Sequence, residues 1–431
     1  MRRKEALRWH SFYRGKLQVC PKVPIRSWRD FAVWYTPGVA EPCREIREDG
    51  LKVYEYTNKW NSVAVVTDGS RVLGLGDIGP EASLPVMEGK AIIFKYLGGV
   101  DAYPICLNAK KVEEIVQAVE WIKPSFGGIN LEDISSPKCF EILEKLRRRL
   151  DIPVWHDDQQ GTATVVLAAL INALKLVGKN MSEAHVSLIG AGAANTAIYR
   201  ILTAAGVKRG NVIMVDSKGI LNNQRFDLKE TSPLKWKICL ESNEEGRMGG
   251  VEEALRDADV CVACSQPKPG LITENMVRSM ADNSIVFALA NPEPEIWPWE
   301  AKKAGAKVVA TGRSDFPNAV NNSLGFPGIF RGALDVRART ITDEMCVAAS
   351  YAIAETAEEN GLKEDYIIPS MDEWEVYPRE AVAVGLKAME QGIARLKLTR
   401  KSLAESVQSI IEESRRLLEM LMKSNLIPTT P

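Results

Sequence analysis

Long apolar runs are missing from this chain of 431 residues. No uninterrupted stretch approaches the roughly 18 apolar residues that a membrane helix needs, so no membrane span is expected. The start, Met1-Arg2-Arg3-Lys4-Glu5, is basic but lacks the apolar block of a signal peptide. An excess of one charge is missing as well. Lys and Arg number 55 against 56 acidic residues, a net charge of -1, and nothing in that balance recruits nucleic acid or an anionic membrane. Cysteine is sparse, and 8 over this length do not make a disulfide scaffold. One pair, Cys261-Val262-Ala263-Cys264, has the spacing of a redox or zinc motif. No second CxxC and no histidine pair accompany it, and its surroundings read as a buried strand. Internal repeats and low-complexity linkers are absent too. These absences leave a cytoplasmic globular protein, and its length predicts two domains rather than one core.

What is present is alternation. Ser62 to Thr67 and Arg71 to Gly76 are strand-like and flank Asp68-Gly69-Ser70, a turn signal that predicts a hairpin. Val112, Ile115, Val116, Val119 and Ile122 repeat at helical spacing, as do Ile142, Leu143, Leu146 and Leu150. Short strands are expected over 102–107, 127–131 and 152–155. A long apolar helix, Thr162 to Val177, opens a second alternating block with strands at 185–189, 211–215, 260–263 and 284–289. The fold class is therefore α/β in two domains, an N-terminal α/β substrate domain and a Rossmann-type doubly wound cofactor domain. The expected boundaries are 1–160, 161–390 and a C-terminal helical segment, 391–431, docked on the body or on a partner subunit.

Two features carry chemistry. The strand 185–189 feeds a glycine turn, Gly190-Ala191-Gly192, followed by Ala193, Ala194 and a helix. Gly190 permits a tight exit, Gly192 lets backbone approach a pyrophosphate, and the helix N-terminus favours its charge. Asp216 ends the next strand, where a carboxylate accepts ribose hydroxyls and repels a 2′-phosphate. That favours NAD, with NADP possible because Lys218 lies two residues on. The second feature is a pair of acidic doublets, Glu132-Asp133 and Asp157-Asp158, at the ends of successive strands. Convergence there suits Mg²⁺ or Mn²⁺. Helix N-capping by Asp158, just before Gly161-Thr162, fits the same residues.

Several segments together resemble the malic enzymes in their short prokaryotic or archaeal form. They are Tyr35-Thr36-Pro37-Gly38-Val39-Ala40, Thr67 to Asp77 (TDGSRVLGLGD), Glu88-Gly89-Lys90, Leu131-Glu132-Asp133 and His156-Asp157-Asp158-Gln159-Gln160-Gly161-Thr162. Gly190 to Ala194, Ala290-Asn291-Pro292 and Asn321 to Gly328 follow in the expected order. The resemblance implies oxidative decarboxylation of L-malate to pyruvate and CO₂ with reduction of NAD(P)⁺, and decarboxylation of oxaloacetate.

It also implies roles. Lys90 is the general base toward the C2 hydroxyl, Tyr35 the general acid toward C3, and Asp157 the acid that hydrogen-bonds the lysine. Glu132, Asp133 and Asp158 are the metal ligands. Arg71 and Asn322 bind substrate, and Asn291 touches the nicotinamide ribose. A base must be deprotonated, so burial or nearby cations are expected to lower Lys90, against the pull of Asp157. The family implies at least a homodimer. One departure stands out, since Asn195 occupies the third glycine position and is expected to disturb the packing of strand on helix. The chain ends at Pro431, so no phosphotransacetylase-like extension is expected. An amino-acid dehydrogenase or a silent dinucleotide sensor would share the cofactor domain, but neither needs the carboxylate triad.

Overall fold

The computed structural model describes residues 2–428. Four parallel strands form the first sheet: β1 (Ser62–Thr67), β2 (Asp101–Cys106), β3 (Gly128–Leu131) and β4 (Val154–His156), in the order β2-β1-β3-β4. β1, β3 and β4 are buried along their whole length, as strands covered on both faces must be. The crossovers are the helices Gly79–Gly98, Val112–Ile122 and Lys138–Arg149. The first begins with Pro80, whose missing N–H costs nothing there, and stops at Gly99 with φ 64°.

The second sheet has six strands in the order β10-β9-β8-β5-β6-β7. They are β5 (Val186–Ile189), β6 (Val212–Asp216), β7 (Gly219–Ile220), β8 (Val260–Ala263), β9 (Ile285–Ala288) and β10 (Val308–Thr311), all parallel except β7. Strand order reverses between β5 and β8, which places the switch-point crevice at the carboxyl end of β5. Cys261 lies inside β8 and is fully buried, and the eight cysteines are all free thiols.

Helix Thr162–Val177 joins the two sheets and ends at Gly178, φ 70°. Helices Phe326–Asp335, Asp343–Glu359, Val376–Glu390 and Arg400–Lys423 close the molecule. Phe94 of the first crossover meets Phe326 and Phe330 at ring distances of 4.6 and 5.2 Å, so the core runs unbroken from the first sheet into these late helices. The last helix seats Leu403, Val407 and Ile411 on the body, and its Ser414 Oγ donates to Lys95 O at 2.8 Å.

One expectation needs correction. Residues 71–76 are not a strand but a loop closed by Val72 N–H to Gly76 O at 2.9 Å. β1 already has β2 and β3 on its two edges, so no edge is left for a hairpin partner. The stretch Asp157–Val177 is long and apolar enough on average to span a membrane, but its apolar run is interrupted by Asn172 and Lys175 and most of it is buried inside the protein. β7, β10 and the three helices between 326 and 390 went unread.

Candidate active site

The two acidic doublets follow the carboxyl ends of neighbouring strands, β3 and β4, and so converge. Glu132 N–H extends the ladder by bonding Val66 O at 2.9 Å, while Asp133 takes the left-handed φ of 52°. That turn lets Asp133 N–H donate to Asp158 Oδ2 at 2.9 Å. Asp157–Gly161 forms one π-helical turn ahead of the long linking helix, a local distortion often found at functional sites. Gly161 is obligatory there. A Cβ at that position would lie 2.0 Å from Asp157 Oδ1 and 3.3 Å from Asn322 Cβ, so Asn322 borders the same spot.

Lys90 projects from the buried side of helix Gly79–Gly98. Its ammonium donates to Asp157 Oδ2, lies 3.1 Å from Glu132 Oε1, and sits 4.2 Å over the Phe326 ring. Trp155 Nε1 donates to the other Asp157 oxygen at 3.0 Å, which fixes that carboxylate. Burial pulls Lys90 down, but Asp157 and Glu132 outweigh it and hold the ammonium above its usual range. The lowering expected from burial is therefore reversed by the flanking acids. Burial raises Glu132 and Asp157, with Lys90 pulling both back, and pushes Asp133 up to about 7, helped by Asp158. One cation among four carboxylates leaves the cluster short of positive charge.

The residues fit a divalent metal. Glu132, Asp133 and Asp158 each offer an oxygen within 4.8 Å of the others, and Asp133 Oδ2 is buried without a partner. An all-oxygen donor set of this kind suits a hard cation rather than zinc. His156 is fully buried beside them, 3.6 Å from Asp158 Oδ2, and burial lowers its pKa.

At the second sheet, Gly190 has φ 102°, and a Cβ there would lie 2.7 Å from Cys264 O. Gly192, Ala193 and Ala194 are partly exposed, Ala191 is buried below them, and the space above Gly192 is open, as a phosphate site requires. Asn195 does not loosen this turn. It is fully buried, and its Nδ2 donates to Ile189 O and Gly190 O at 2.8 Å each, tying helix to strand end.

Asp216 is not bare. Arg225 binds it through two bonds of 3.0 Å, Lys218 N–H donates to it at 2.9 Å, and Lys235 stands 3.9 Å away. Arg225 and Lys235 escaped the sequence reading, since no spacing rule links a basic residue in a later loop to that acid.

Three residues stand apart from the buried cluster. Arg71 and Asn291 have exposed side chains. The Arg71 backbone nevertheless bonds Asp133 O at 3.0 Å, and a Cβ on Gly74 would touch Pro292 at 3.1 Å, so both loops rim the cleft. Tyr35 is 68% exposed on an N-terminal segment. Its backbone N–H donates to Phe31 O and its carbonyl accepts from Val39 N–H, each at 2.8 Å.

Comparison with known proteins gives a consistent picture. The family model for the malic enzyme N-terminal domain matches residues 14–147, and that for the malic enzyme NAD-binding domain matches residues 159–389. A bifunctional malic/malolactic enzyme of Bacillus subtilis is 50% identical over 95% of this chain and 98% of its own length. An NAD-dependent malic enzyme of Geobacillus stearothermophilus is 50% identical over 88% of this chain and 78% of its own. The crystal structure of a malic enzyme from Pyrococcus horikoshii superimposes with a TM-score of 0.93 at 53% identity, covering 98% of this chain and 99% of that one.

Proposed function

The chain belongs to the malic enzyme family as an NAD(P)-dependent enzyme, and on that premise we propose that its acidic cleft oxidises L-malate and decarboxylates the product to pyruvate and CO₂. The observation that carries this reading is the buried cluster itself, one ammonium facing Glu132, Asp133, Asp157 and Asp158.

Arg71 at the rim and Asn322 beside Gly161 hold the substrate carboxylate and hydroxyl. A guanidinium fork suits a carboxylate. Lys90 is charged when substrate arrives, and its proton passes along the existing hydrogen bond to Asp157, whose carboxyl is held above its usual range. The free amine then takes the C2 hydroxyl proton as C2 gives up its hydride, for which a bound nicotinamide would supply the acceptor. The β-keto acid so formed loses CO₂, and Tyr35 returns a proton to C3 of the enolate. Glu132, Asp133 and Asp158 would hold Mg²⁺ or Mn²⁺, which supplies electrophilic charge beside the substrate oxygens. The same site would decarboxylate oxaloacetate supplied directly.

Gly190 to Ala194 would hold the cofactor's pyrophosphate, Asp216 its adenosine ribose and Asn291 its nicotinamide ribose. NAD⁺ is accepted, and Arg225 with Lys235 makes room for the 2′-phosphate of NADP⁺.

Initial rates with L-malate, NAD⁺ and Mn²⁺ test the reading. NADH forms, EDTA stops it, and Mn²⁺ restores it, whereas a rate undiminished by chelation refutes the metal site. Lys90→Ala abolishes malate oxidation while NADH still binds, as its fluorescence reports, and near-normal turnover would refute the base.

A further inference from the structure

The loops that follow β8 and β9 stand at the same carboxyl edge of the second sheet as the Gly190 turn. Each begins by extending its ladder, Cys264 N–H to Ile189 O at 3.0 Å and Leu289 N–H to Ala263 O at 2.9 Å. The first loop backs the glycine turn, since a Cβ on Gly190 would lie 3.1 Å from Ser265 Cβ. The second carries Asn291, whose exposed side chain makes one long bond, Nδ2 to Gly312 O at 3.4 Å. A bond of that length fixes little. Something else must hold Asn291 at the cleft.

Glu295 joins the two loops from inside. It is 0% exposed. Its Oε1 accepts from Ser265 N–H at 2.8 Å and from Ser265 Oγ at 3.1 Å, and its Oε2 accepts from Ala290 N–H at 3.1 Å. Its carbonyl oxygen takes Gly270 N–H at 3.0 Å and Ile272 N–H at 3.2 Å. Side chain and backbone together tie residues 265–272 to residues 290–295. Neutral donors meet both carboxylate oxygens. Burial raises the carboxyl, and the donors of Ser265 and Ala290 pull it back. A second tether acts from the surface side, where Arg313 Nη1 donates to Pro292 O at 2.7 Å and the same guanidinium grips Asp315 at 2.9 and 2.7 Å. Asn291 therefore stands between two anchored neighbours, Ala290 and Pro292. Arg313 is partly exposed and screened by water. The dry anchor is Glu295.

We propose that Glu295 is a positioning residue of the cofactor cleft, clamping Ser265 and Ala290 so that Asn291 stands where the nicotinamide ribose binds. The proposal rests on the reading of Asn291 as the residue at that ribose. An apolar side chain could fill the same volume without the cost of burying a carboxylate. What the carboxylate adds is a fixed spacing between two loop backbones, at the edge where an open α/β sheet binds its ligands. Bulk packing needs no such spacing. A ligand held between the two loops does.

The test separates cofactor affinity from turnover. Glu295→Gln keeps the volume but turns one oxygen into an NH₂ that opposes the N–H of Ser265 or Ala290. Ser265→Ala removes only the hydroxyl bond. NADH binding is read by its fluorescence, and initial rates are taken while NAD⁺ and L-malate are varied in turn. Glu295→Gln raises the Kd for NADH and the KM for NAD⁺ about tenfold, the worth of one hydrogen bond to a charged group. Ser265→Ala raises both about threefold. In each variant kcat at saturating NAD⁺ and the KM for L-malate stay within about twofold of wild type. Adding Glu295→Gln to Asn291→Ala costs less than about threefold further, because the residue it positions is gone. Wild-type affinities in both Glu295→Gln and Ser265→Ala overturn the proposal. So does a kcat that falls with Tm while the KM for NAD⁺ holds, or an undiminished effect of Glu295→Gln beside Asn291→Ala. An Asn291→Ala chain that binds NADH like wild type instead overturns the ribose assignment on which the proposal stands. Should Glu295→Gln fail to fold, Ser265→Ala carries the same comparisons.

Discussion

Replacing Arg225 by alanine tests the proposed placement of the cofactor's ribose at Asp216. Asp216 ends β6 where a ribose is expected, and its side chain is only 9% exposed, with that of Arg225 at 14%. The two bonds of 3.0 Å hold a guanidinium beside the carboxylate, so an approaching 2′-phosphate meets a compensated charge. Arg225→Ala removes the cation and leaves Asp216 with Lys235 at 3.9 Å and a backbone N–H. A guanidinium some 5–6 Å from a phosphate, at an effective dielectric between a protein surface and water, contributes roughly 1–2 kcal/mol. NAD⁺ lacks that phosphate and gains an unencumbered acceptor for its ribose hydroxyls. The ratio of kcat/KM for NAD⁺ to that for NADP⁺ therefore rises by about 5–30-fold. Initial rates with both cofactors at saturating malate and Mn²⁺ measure it, with salt held constant because exposed charges are screened. A ratio that stays within twofold, or that moves toward NADP⁺, refutes the assignment of Arg225 and with it the placement of the ribose at Asp216.

Two further substitutions probe the scaffolding of each site. Gly161→Ala puts a methyl 2.0 Å from Asp157 Oδ1. Overpacking of this kind costs about 1–3 kcal/mol, so both Tm and kcat fall, and a variant with wild-type values for both would show that Asp157 has room to move. Asn195→Asp points a carboxylate at Ile189 O and Gly190 O, each now receiving a bond of 2.8 Å. An uncompensated buried charge costs about 3–5 kcal/mol, so Tm drops and KM for NAD⁺ rises, while an unchanged KM would detach Asn195 from the cofactor turn.

Much of this protein was legible in one dimension because its signals are local. Strands buried on both faces read as continuous apolar runs, and Thr162–Val177 was placed to the residue because its apolar run is long. The acids of the site could be named because an open parallel sheet delivers its ligands from strand ends, and Glu132, Asp133, Asp157 and Asp158 all stand just past one. What the sequence could not settle is how these groups act on one another. Whether burial or Asp157 governs Lys90 is a balance of distances, decided by two carboxylates that face a single ammonium. The Asp68-Gly69-Ser70 turn looked like a hairpin because strand competition for the edges of β1 is a property of the whole sheet. Asn195 looked like a defect until its amide was seen to bridge two carbonyls. Arg225 finds Asp216, and Tyr35 is left exposed, only once the chain is folded. Composition and periodicity indicated most of the elements, and the ordered motifs the chemistry that their resemblance implies, because these depend on neighbours along the chain. Tertiary structure alone decided the charge balance at Lys90, the cations around Asp216 and the exposure of Tyr35, because these depend on which groups folding brings within a few ångströms.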